Sequence, residues 1–428
     1  MNQIFEHVEK INNELSLPGD KSISHRAVMF ASLADGISII KNCSNSEDVR
    51  STINCFSQLG CSFEETGDKI RITGKGFKGF SKPREVLYAG NSGTTSRLMC
   101  GILAAQDFES VITGDESLSL RPMKRIIEPL RLMGAKISAS ENDTLPIIIK
   151  PSNELHSVKY TLEVASAQVK SAILLCAIHL NEESIISEDR DTRNHTEMLL
   201  NLKIEKTIKG KSVFASKLNY PEPFHLNIPS DISSAAFFIV LTLLSENSKL
   251  IIKNISLNET RTGILKVLKE MGANIDVYNV GIEKGENIGD ITIKSSKLKN
   301  INIPTKLIPN IIDEIPILSI AGVFSEGVFE IRGAKELRVK ESDRIKSLCS
   351  NFTKLGLKVA EYDDGFSVDG RLENQKFEFE SYGDHRIAMA FSIMSMLMKK
   401  GGTINNFECV GISNPNFIAQ LKAISITG

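Results

Sequence analysis

One pattern occurs six times in this 428-residue chain and constrains its fold more than any other feature. Each copy has a polar segment, a run of small and apolar residues, a polar turn and a β-branched stretch. The polar segments, called headers below, are residues 18–26, 90–97, 165–171, 229–234, 312–316 and 382–386. Counted from residues 20, 91, 166, 231, 313 and 384, the pattern recurs every 65 to 82 residues. Internal repetition of this kind indicates a fold made of repeated units.

The apolar runs are predicted to be buried helices. They are shorter than the roughly 20 residues that a membrane-spanning helix needs, and a soluble helix that is apolar on every side must be buried. The headers supply Asp, Asn or Ser, whose side chains accept hydrogen bonds from the free amides of a first helical turn. We therefore expect six internal helices, each beginning at a header.

A second element recurs between these helices. It has the spacing of an amphipathic helix, followed by a glycine and a strand, and a weaker copy without the glycine occupies residues 195–208. The clear copies are residues 49–65, 123–140, 262–278 and 345–362. Six units suit two domains of three units better than one solenoid, because helices that are apolar all round need cover on every side.

The headers are also candidate anion-binding sites. If the buried helices point the same way, their N-termini gather at one surface, and each brings about half a positive charge and free amide donors. Two such surfaces facing each other would form a cleft that attracts anions. Any one header could instead be only a helix cap, but the Lys and Arg residues in or beside the headers favour the anion site.

Composition excludes several other classes of protein. With 41% hydrophobic residues the chain can bury large cores and is long enough for two or more domains. A net charge of −1 gives no reason to expect nucleic acid or a membrane surface as a partner. The first residues have no apolar signal-like core, so a cytoplasmic protein is expected.

A metal site is not predicted either. The seven cysteines form no CxxC pair and lie mostly among apolar residues, and the histidines show no HExxH spacing. We therefore expect the cysteines to be small buried hydrophobes.

The first three headers carry distinct chemistry. Lys21, Ser22 and Arg26 fall on the first turns of a predicted buried helix, where amides, a hydroxyl and two cations would bind a phosphate or a carboxylate. Glycines in the second header permit close backbone approach, and Asn91, Thr94 and Thr95 are its donors. Arg121 comes just before Pro122, the expected first residue of a helix, so its guanidinium should lie at a helix start. The third header offers neutral hydrogen-bonding groups, Ser166 and Gln168, suited to hydroxyls.

The C-terminal half adds both acids and cations. Residues 337–347 include Lys340, Glu341 and Arg344, and on a surface helix such a run could be only a solvated ion-pair face. The last header places His385 and Arg386 ahead of an all-apolar helix, an unsuitable place for charges without a role. Asp313, in the fifth header, would stay ionised beside several cations and could act as a base.

The motifs themselves resemble a known family. PGDKSISHRA, GNSGTTSRL, LRPM, SAQVKSA, RVKESDR and YGDHRIAMA, in this order and spacing, are similar to the motifs of EPSP synthases, the 3-phosphoshikimate 1-carboxyvinyltransferases. The resemblance spans nearly the whole chain, and SAQVKSA and TRNHTE look like the class II branch.

This resemblance implies an α/β fold of two inverse α/β-barrel-like domains, each of three βαβαββ units, with an interdomain active-site cleft. It implies a discontinuous first domain of residues 1–20 and 229–428 and a second domain of residues 21–228. The expected substrates are phosphoenolpyruvate and shikimate 3-phosphate, used without a metal or an organic cofactor. A cytoplasmic monomer that binds neither nucleic acid nor membrane is expected.

The resemblance also implies residue roles. Asp313 would accept the 5-hydroxyl proton of shikimate 3-phosphate, Glu341 would handle the proton of the methylene carbon, and Lys21 would approach both substrates. Residues expected at shikimate 3-phosphate are Lys21, Ser22, Arg26, Ser166, Arg193 and Lys340. Gln168 is expected between the two substrates, and Ala167 is expected among the substrate-binding residues. Residues expected at phosphoenolpyruvate are Asn91, Gly93, Thr94, Arg121, Arg344 and Arg386, and His385 is expected among the substrate-binding residues.

Two other functions stay open. A related transferase moves enolpyruvate to UDP-N-acetylglucosamine with a loop cysteine, but no cysteine occurs here between Cys100 and Cys176. A non-catalytic anion-binding module of the same fold is the other alternative.

One departure from the family pattern is the segment ECVGISNPNF, which lacks the lysine that many members carry there.

Overall fold

The chain folds into two compact units in a computed structural model that describes residues 1–370, 372 and 375–426. The first unit comprises Met1–Pro18, Ser230–Gly281 and Asn287–Gly428, and the second comprises Gly19–Pro229 and Ile282–Glu286. The divisions predicted at residues 20/21 and 228/229 lie within two residues of these limits. The sequence did not indicate that Ile282–Glu286 belongs with the second unit.

The helices follow the two predicted series. In chain order they are α1 (Lys21–Leu33), α2 (Glu47–Gln58), α3 (Gly93–Leu103), α4 (Glu116–Ser119), α5 (Lys124–Leu132), α6 (Ala167–Ala177), α7 (His195–Leu199), α8 (Ile232–Leu244), α9 (Gly263–Glu270), α10 (Ile308–Ile311), α11 (Ile315–Val323), α12 (Arg344–Lys354), α13 (His385–Leu397) and α14 (Phe417–Ile424).

The strands are short and numerous. They are β1 (Gln3–Phe5), β2 (Lys10–Leu15), β3 (Ile37–Lys41), β4 (Ser62–Thr66), β5 (Lys69–Thr73), β6 (Leu87–Tyr88), β7 (Ser110–Thr113), β8 (Lys136–Ser138), β9 (Ile147–Lys150), β10 (Lys159–Thr161), β11 (Ser184–Glu188), β12 (Lys203–Thr207), β13 (Gly210–Ala215), β14 (His225–Asn227), β15 (Lys249–Ser256), β16 (Asn274–Glu283), β17 (Glu286–Lys294), β18 (Phe329–Ile331), β19 (Lys358–Tyr362), β20 (Gly365–Asp369), β21 (Phe377–Glu380), β22 (Gly402–Asn405) and β23 (Ser425–Ile426).

The six predicted internal helices are confirmed as α1, α3, α6, α8, α11 and α13, which are buried over nearly all their residues. Five of them begin after an Asp or Ser whose side chain accepts a hydrogen bond from a first-turn amide. These capping residues are Asp20, Ser92, Ser166, Asp231 and Asp384. The exception is α11, which begins four residues after the end of α10 and has no side-chain cap.

The amphipathic series is also confirmed. The predicted glycine lies two residues after α2, α5, α9 and α12, and at Gly60 and Gly272 the φ angles are +97° and +99°. After α7, whose copy lacks the glycine, Asn201 adopts φ +49°. Asn is the residue that most readily replaces Gly in this left-handed position.

The sheets repeat as the helices do. In the second unit three four-stranded sheets share one arrangement, with strand orders β14-β3-β5-β4, β6-β7-β9-β8 and β10-β11-β13-β12. The first two strands of each order are parallel and the remaining pairs are antiparallel. The successions β6-α3-β7-α5-β8-β9 and β10-α6-β11-α7-β12-β13 are βαβαββ units, with the short α4 as an addition to the former.

The first unit has the sheets β16-β17-β15-β2-β23, β18-β20-β19 and β21-β22-β1. Here β2 pairs in parallel with β15, so a strand near the start of the chain completes a sheet whose other strands come more than 200 residues later. Each unit has its own apolar core around its three buried helices. In the part of the chain that the structure describes, no helix has the length and apolar character needed to cross a membrane.

Candidate active site

Three buried helices of the second unit begin close to one another. Helix α3 packs against α1 and α6, and α7 packs against α1. At or beside these helix starts lie the residues that we call the second-unit cluster: Lys21, Ser22, Arg26, Asn91, Gly93, Thr94, Arg121, Ser166, Ala167, Gln168 and Arg193.

Arg26 is the most deeply placed cation of this cluster, at 3% exposure. Its Nε donates to Thr196 Oγ1 at 2.7 Å, and Nη2 donates to Ser171 Oγ at 2.9 Å. Nη1 donates to the carbonyl oxygen of Ser22 at 3.0 Å. Among the described residues, no carboxylate lies within 4.0 Å of this guanidinium. Burial lowers the pKa of Arg26 to about 10, so it stays charged at neutral pH.

Lys21, the first residue of α1, is held by an acid that the sequence did not single out. Its Nζ lies 2.7 Å from Asp48 Oδ2, and both side chains are largely buried. Asp48 lies in the first turn of α2, so this ion pair joins one helix start to another. The aliphatic stem of Lys21 is thereby fixed while its ammonium group stays at the helix N-terminus.

Asn91 and Arg121 are bonded to each other. Arg121 Nη2 donates to Asn91 Oδ1 at 2.6 Å, and Asn91 Nδ2 donates to Asp115 Oδ2 at 2.7 Å. The side-chain oxygen of Ser117 accepts a further bond from Arg121 at 3.3 Å. Arg121 is only 7% exposed, and its guanidinium is fixed against the turn that precedes α3. The sequence predicted this group at the start of the helix that follows Pro122, and that helix, α5, begins at Lys124.

Arg97 is a cation that the sequence interpretation missed. It lies on α3 one turn after Gly93, its Nη1 donates to Gln168 Oε1 at 3.0 Å, and Gln168 Nε2 donates to Thr94 Oγ1 at 3.2 Å. A Cβ atom at Gly93 would lie 2.5 Å from Arg97 Nη1 and 3.5 Å from Arg121 Nη1. A side chain at this position would therefore displace the guanidinium of Arg97, whereas the distance to Arg121 is ordinary contact. The signal was the arginine that ends the motif GNSGTTSR.

The remaining members of the cluster lie at the edges of this set. Ser166 is the capping residue of α6, where its Oγ accepts a bond from the Val169 amide at 3.4 Å, and Ala167 is the first residue of that helix. Arg193 precedes α7, and its charge acts on the pKa of Arg26. The structure therefore brings the predicted second-unit residues together around the starts of α1, α3 and α6.

The first unit has its own charged group, which we call the first-unit cluster. Helix α13 packs against α11 and α12, and the predicted residues lie at the starts of these three helices. They are Asp313, Lys340, Glu341, Arg344, His385 and Arg386. His385 and Arg386 open α13 and are 1% and 8% exposed.

Arg344 is the centre of this cluster. Its Nε donates to Asp384 Oδ2 at 2.8 Å, and Nη1 donates to Asp313 Oδ1 at 3.3 Å. Its Nη2 donates to Glu341 Oε2 at 2.5 Å. Burial by itself would lower the pKa of Arg344, but the charges of Asp384, Glu341 and Asp313 raise it above its ordinary value. The alternative of a solvated ion-pair face is wrong for Arg344, which is only 1% exposed.

Asp313 is surrounded by cations. Besides Arg344, Lys340 Nζ lies 3.6 Å from Oδ1, and Arg386 Nη2 lies 3.8 Å from Oδ2. Arg386 Nη1 also donates to the Asp313 carbonyl oxygen at 2.9 Å. Cations this close favour the ionised form of a carboxyl group, which is the form that a general base needs.

A further buried network lies behind Asp313 and was not predicted. Glu314, at 1% exposure, accepts a short hydrogen bond from Ser233 Oγ, and Arg386 Nη1 lies 3.9 Å from its Oε1. Arg261 Nη2 donates to Ser233 Oγ at 2.5 Å. Of these residues, only Glu314 had a sequence signal, because it is part of the fifth header.

The cysteines behave as predicted. All seven are free, five of them are buried, and burial raises the pKa of each thiol, for example of Cys55 to about 12. No group of three or more His, Cys, Asp or Glu side chains among the described residues is arranged to hold a metal ion.

Comparison with known proteins places this arrangement in a family. The family model described as EPSP synthase (3-phosphoshikimate 1-carboxyvinyltransferase) matches residues 5–421. The 3-phosphoshikimate 1-carboxyvinyltransferase of Caldicellulosiruptor saccharolyticus is 46% identical over 97% of this chain and 98% of its own length. That of Thermodesulfovibrio yellowstonii is 45% identical over 99% of this chain and all of its own length.

Solved structures support the same family assignment. An EPSP synthase from Acinetobacter baumannii superposes with a TM-score of 0.87 at 38% identity, over 100% of this chain and 98% of that one. The enolpyruvyl transferase NikO from Streptomyces tendae gives a TM-score of 0.78 at 14% identity, over 99% of this chain and 97% of that one. At that identity the likeness to NikO shows the fold alone. The predicted α/β fold is thus confirmed.

Proposed function

Because the chain belongs to the EPSP synthase family, the 3-phosphoshikimate 1-carboxyvinyltransferases, we propose that it transfers the enolpyruvyl group of phosphoenolpyruvate to the 5-hydroxyl of shikimate 3-phosphate. The products are 5-enolpyruvylshikimate 3-phosphate and phosphate, formed by addition and elimination. The reaction serves aromatic amino-acid biosynthesis.

One observation carries the proposal. The predicted substrate-binding residues gather at buried helix starts, and the buried guanidinium of Arg26 has no carboxylate of the described residues within 4.0 Å. Amide groups and the helix dipole favour an anion at such a place. A buried, charged guanidinium without an ion-pair partner adds to that preference. Both substrates are phosphate esters, and each also carries a carboxylate.

For shikimate 3-phosphate we propose contacts with the starts of α1 and α6. Three of the five N–H donors of Arg26 bond to Thr196, Ser171 and Ser22, which leaves one N–H on each terminal nitrogen for an acceptor. Charge-assisted hydrogen bonds of this kind are stronger than neutral ones. The remaining proposed contacts to this substrate are Lys21, Ser22, Ser166, Ala167, Gln168, Arg193 and Lys340.

For phosphoenolpyruvate we propose contacts with the start of α3 and with three arginines. Arg121 is bonded to Asn91, and Gly93 leaves room for close backbone approach. This substrate carries about three negative charges, and planar guanidinium groups suit both its phosphate and its carboxylate. The proposed residues are Asn91, Gly93, Thr94, Arg121, Arg344 and Arg386, with His385 as a further substrate-binding residue.

Two carboxylates are proposed to move protons. Asp313, close to Lys340, Arg344 and Arg386, would take the proton of the attacking 5-hydroxyl. Glu341, bonded to Arg344, would give a proton to the methylene carbon and take it back on elimination. Protonation of that carbon builds positive charge at its neighbour, which a carboxylate stabilises.

No metal and no organic cofactor is part of this proposal, since the protein groups supply both the charge and the proton transfer. We further propose that the chain acts as a cytoplasmic monomer. Nucleic acid is not a proposed partner, since a net charge of −1 gives no reason to expect one.

A phosphate-release assay tests the function. The purified chain should release inorganic phosphate only when both phosphoenolpyruvate and shikimate 3-phosphate are present, and UDP-N-acetylglucosamine should not replace the latter. Calorimetry adds a second readout, because phosphoenolpyruvate should bind more tightly after shikimate 3-phosphate. Binding of shikimate 3-phosphate without phosphate release would instead identify a non-catalytic module.

A further inference from the structure

A fully buried ion pair lies directly behind the proposed phosphate-binding residues of the second unit. Lys170 on α6 and Glu197 on α7 have side chains with 0% exposure, and Lys170 Nζ lies 2.6 Å from Glu197 Oε1. The same ammonium group donates to both carboxylate oxygens of Glu188, at 2.9 and 3.0 Å. Lys211 Nζ lies 3.0 Å from Glu188 Oε1, so the two ammonium groups balance the two carboxylates of Glu188 and Glu197.

Such a network is not explained by stability alone. Removing charges from water is costly, and apolar residues of similar volume often stabilise a protein as well as a buried ion pair does. What a buried pair does fix is geometry, since each partner left alone would be an uncompensated buried charge. Lys170 and Glu197 therefore fix α6 and α7 in one relative position.

The residues next to the ion pair show what that position serves. Ser171 follows Lys170 on α6, and Thr196 precedes Glu197 on α7. The hydroxyl groups of Ser171 and Thr196 lie 2.8 Å apart, and both accept a hydrogen bond from Arg26. The two helices thus hold one side of a single guanidinium between them.

We propose that Lys170 and Glu197 are positioning residues for Arg26. Their ion pair holds α6 against α7, so that the hydroxyls of Ser171 and Thr196 orient the guanidinium and leave two of its N–H groups for shikimate 3-phosphate. Neither Lys170 nor Glu197 touches the substrate in this proposal. The inference rests on the proposed function, in which Arg26 binds that substrate.

A double-mutant cycle tests this role. Calorimetry measures shikimate 3-phosphate binding to the natural protein, Glu197→Gln, Arg26→Lys and the double variant. Glu197→Gln should weaken binding about tenfold, the effect of loosening one charge-assisted hydrogen bond. In the Arg26→Lys background the same change should weaken binding less than about twofold, because residues that act through one contact are not additive.

A merely structural role predicts different results. Glu197→Gln would then lower the thermal midpoint without changing the affinity, or would weaken binding equally in both backgrounds, and either result overturns the proposal. Glu205→Gln, an exposed change on β12, is the matched control and should bind like the natural protein. The KM for phosphoenolpyruvate at saturating shikimate 3-phosphate should stay within about twofold in Glu197→Gln.

If Glu197→Gln does not fold, Thr196→Val takes its place in the double-mutant cycle with Arg26→Lys. This variant removes only the hydroxyl that accepts from Arg26 Nε, and it should weaken binding in the natural background but not with Arg26→Lys. Equal losses in both backgrounds overturn the proposal. If the natural protein itself neither binds shikimate 3-phosphate nor releases phosphate, the proposed function fails, and the inference fails with it.

Discussion

Replacing Gly93 by Ala is the most direct test of the second-unit cluster. The new Cβ would lie 2.5 Å from Arg97 Nη1, whereas ordinary contact begins at 3.4 Å. Arg97 must therefore move by about 0.9 Å to restore ordinary contact. The side chain is only 5% exposed, so it has little free space into which to move.

The size of the effect follows from the bond that this movement strains. Arg97 Nη1 donates to Gln168 Oε1 at 3.0 Å, and a lengthening of roughly 0.9 Å exceeds the range of a hydrogen bond. A hydrogen bond to a charged group contributes about 1.5 to 3 kcal/mol, which corresponds to about 10- to 150-fold in affinity. Gly93 belongs to the proposed phosphoenolpyruvate site, and Gln168, a proposed contact of shikimate 3-phosphate, keeps its bond to Thr94 at 3.2 Å. The larger loss should therefore fall on phosphoenolpyruvate.

Steady-state kinetics with both substrates varied measures this prediction. Gly93→Ala should raise the KM for phosphoenolpyruvate by about 10- to 150-fold, with a smaller change in kcat, because the contact is present in the ground state as well as in the transition state. Calorimetric affinity for shikimate 3-phosphate should change by less than about threefold, since Arg26 and Lys21 keep their contacts.

Gly281→Ala is the control for the substitution itself. This glycine lies on β16, and the nearest atom to an added Cβ is Ile288 Cγ1 at 3.8 Å. Its kinetic constants should match those of the natural protein. A Gly93→Ala enzyme with an unchanged KM for phosphoenolpyruvate would show that Arg97 yields at no cost, and the reasoning from this contact would be refuted.

Other changes address catalysis and stability. Asp313→Asn and Glu341→Gln should each lower kcat by about 10²–10⁴-fold, the usual contribution of a general acid or base, and near-normal turnover in both variants would contradict the proposed proton transfers. Burial lowers the pKa of His179 to about 4, so the unfolded chain takes up a proton below pH 6.5 that the folded chain does not. The free energy of unfolding should therefore fall by about 2 kcal/mol between pH 7.5 and pH 5 through this group, and urea unfolding of His179→Phe should show a correspondingly smaller fall. Asn201→Ala should lower the free energy of unfolding by about 1 kcal/mol in the same assay, because φ is +49° there, whereas Asn201→Gly should not.

The buried helices could be predicted because their signal is local. An all-apolar run such as α8 or α13 has no polar face to expose, and a capping Asp marks its start within one or two residues. The start of α12 is also marked locally, because the motif RVKESDR ends at Arg344, which is the first residue of that helix. In these places sequence pattern and tertiary environment carry the same information.

The partners of the charged residues could not be predicted, because they come from other helices. Lys21 and Asp48 are 27 residues apart, and Arg26 and Thr196 are 170 residues apart. No pattern of period or spacing connects such pairs, and only packing brings them together. The assignment of Ile282–Glu286 to the second unit has the same origin, as does the parallel pairing of β2 with β15.

The two units use a buried arginine in opposite ways. Arg26 has no carboxylate of the described residues within 4.0 Å, and burial lowers its pKa, so an added anion removes an uncompensated charge. Arg344 is bonded to three carboxylates, and their charges raise its pKa. Most of its charge is therefore already balanced, so that besides its proposed contact with phosphoenolpyruvate it provides a fixed position for Asp313 and Glu341. An enolpyruvyl transfer requires both properties, because anionic substrates must be bound and a carboxylate must exchange protons from a fixed position.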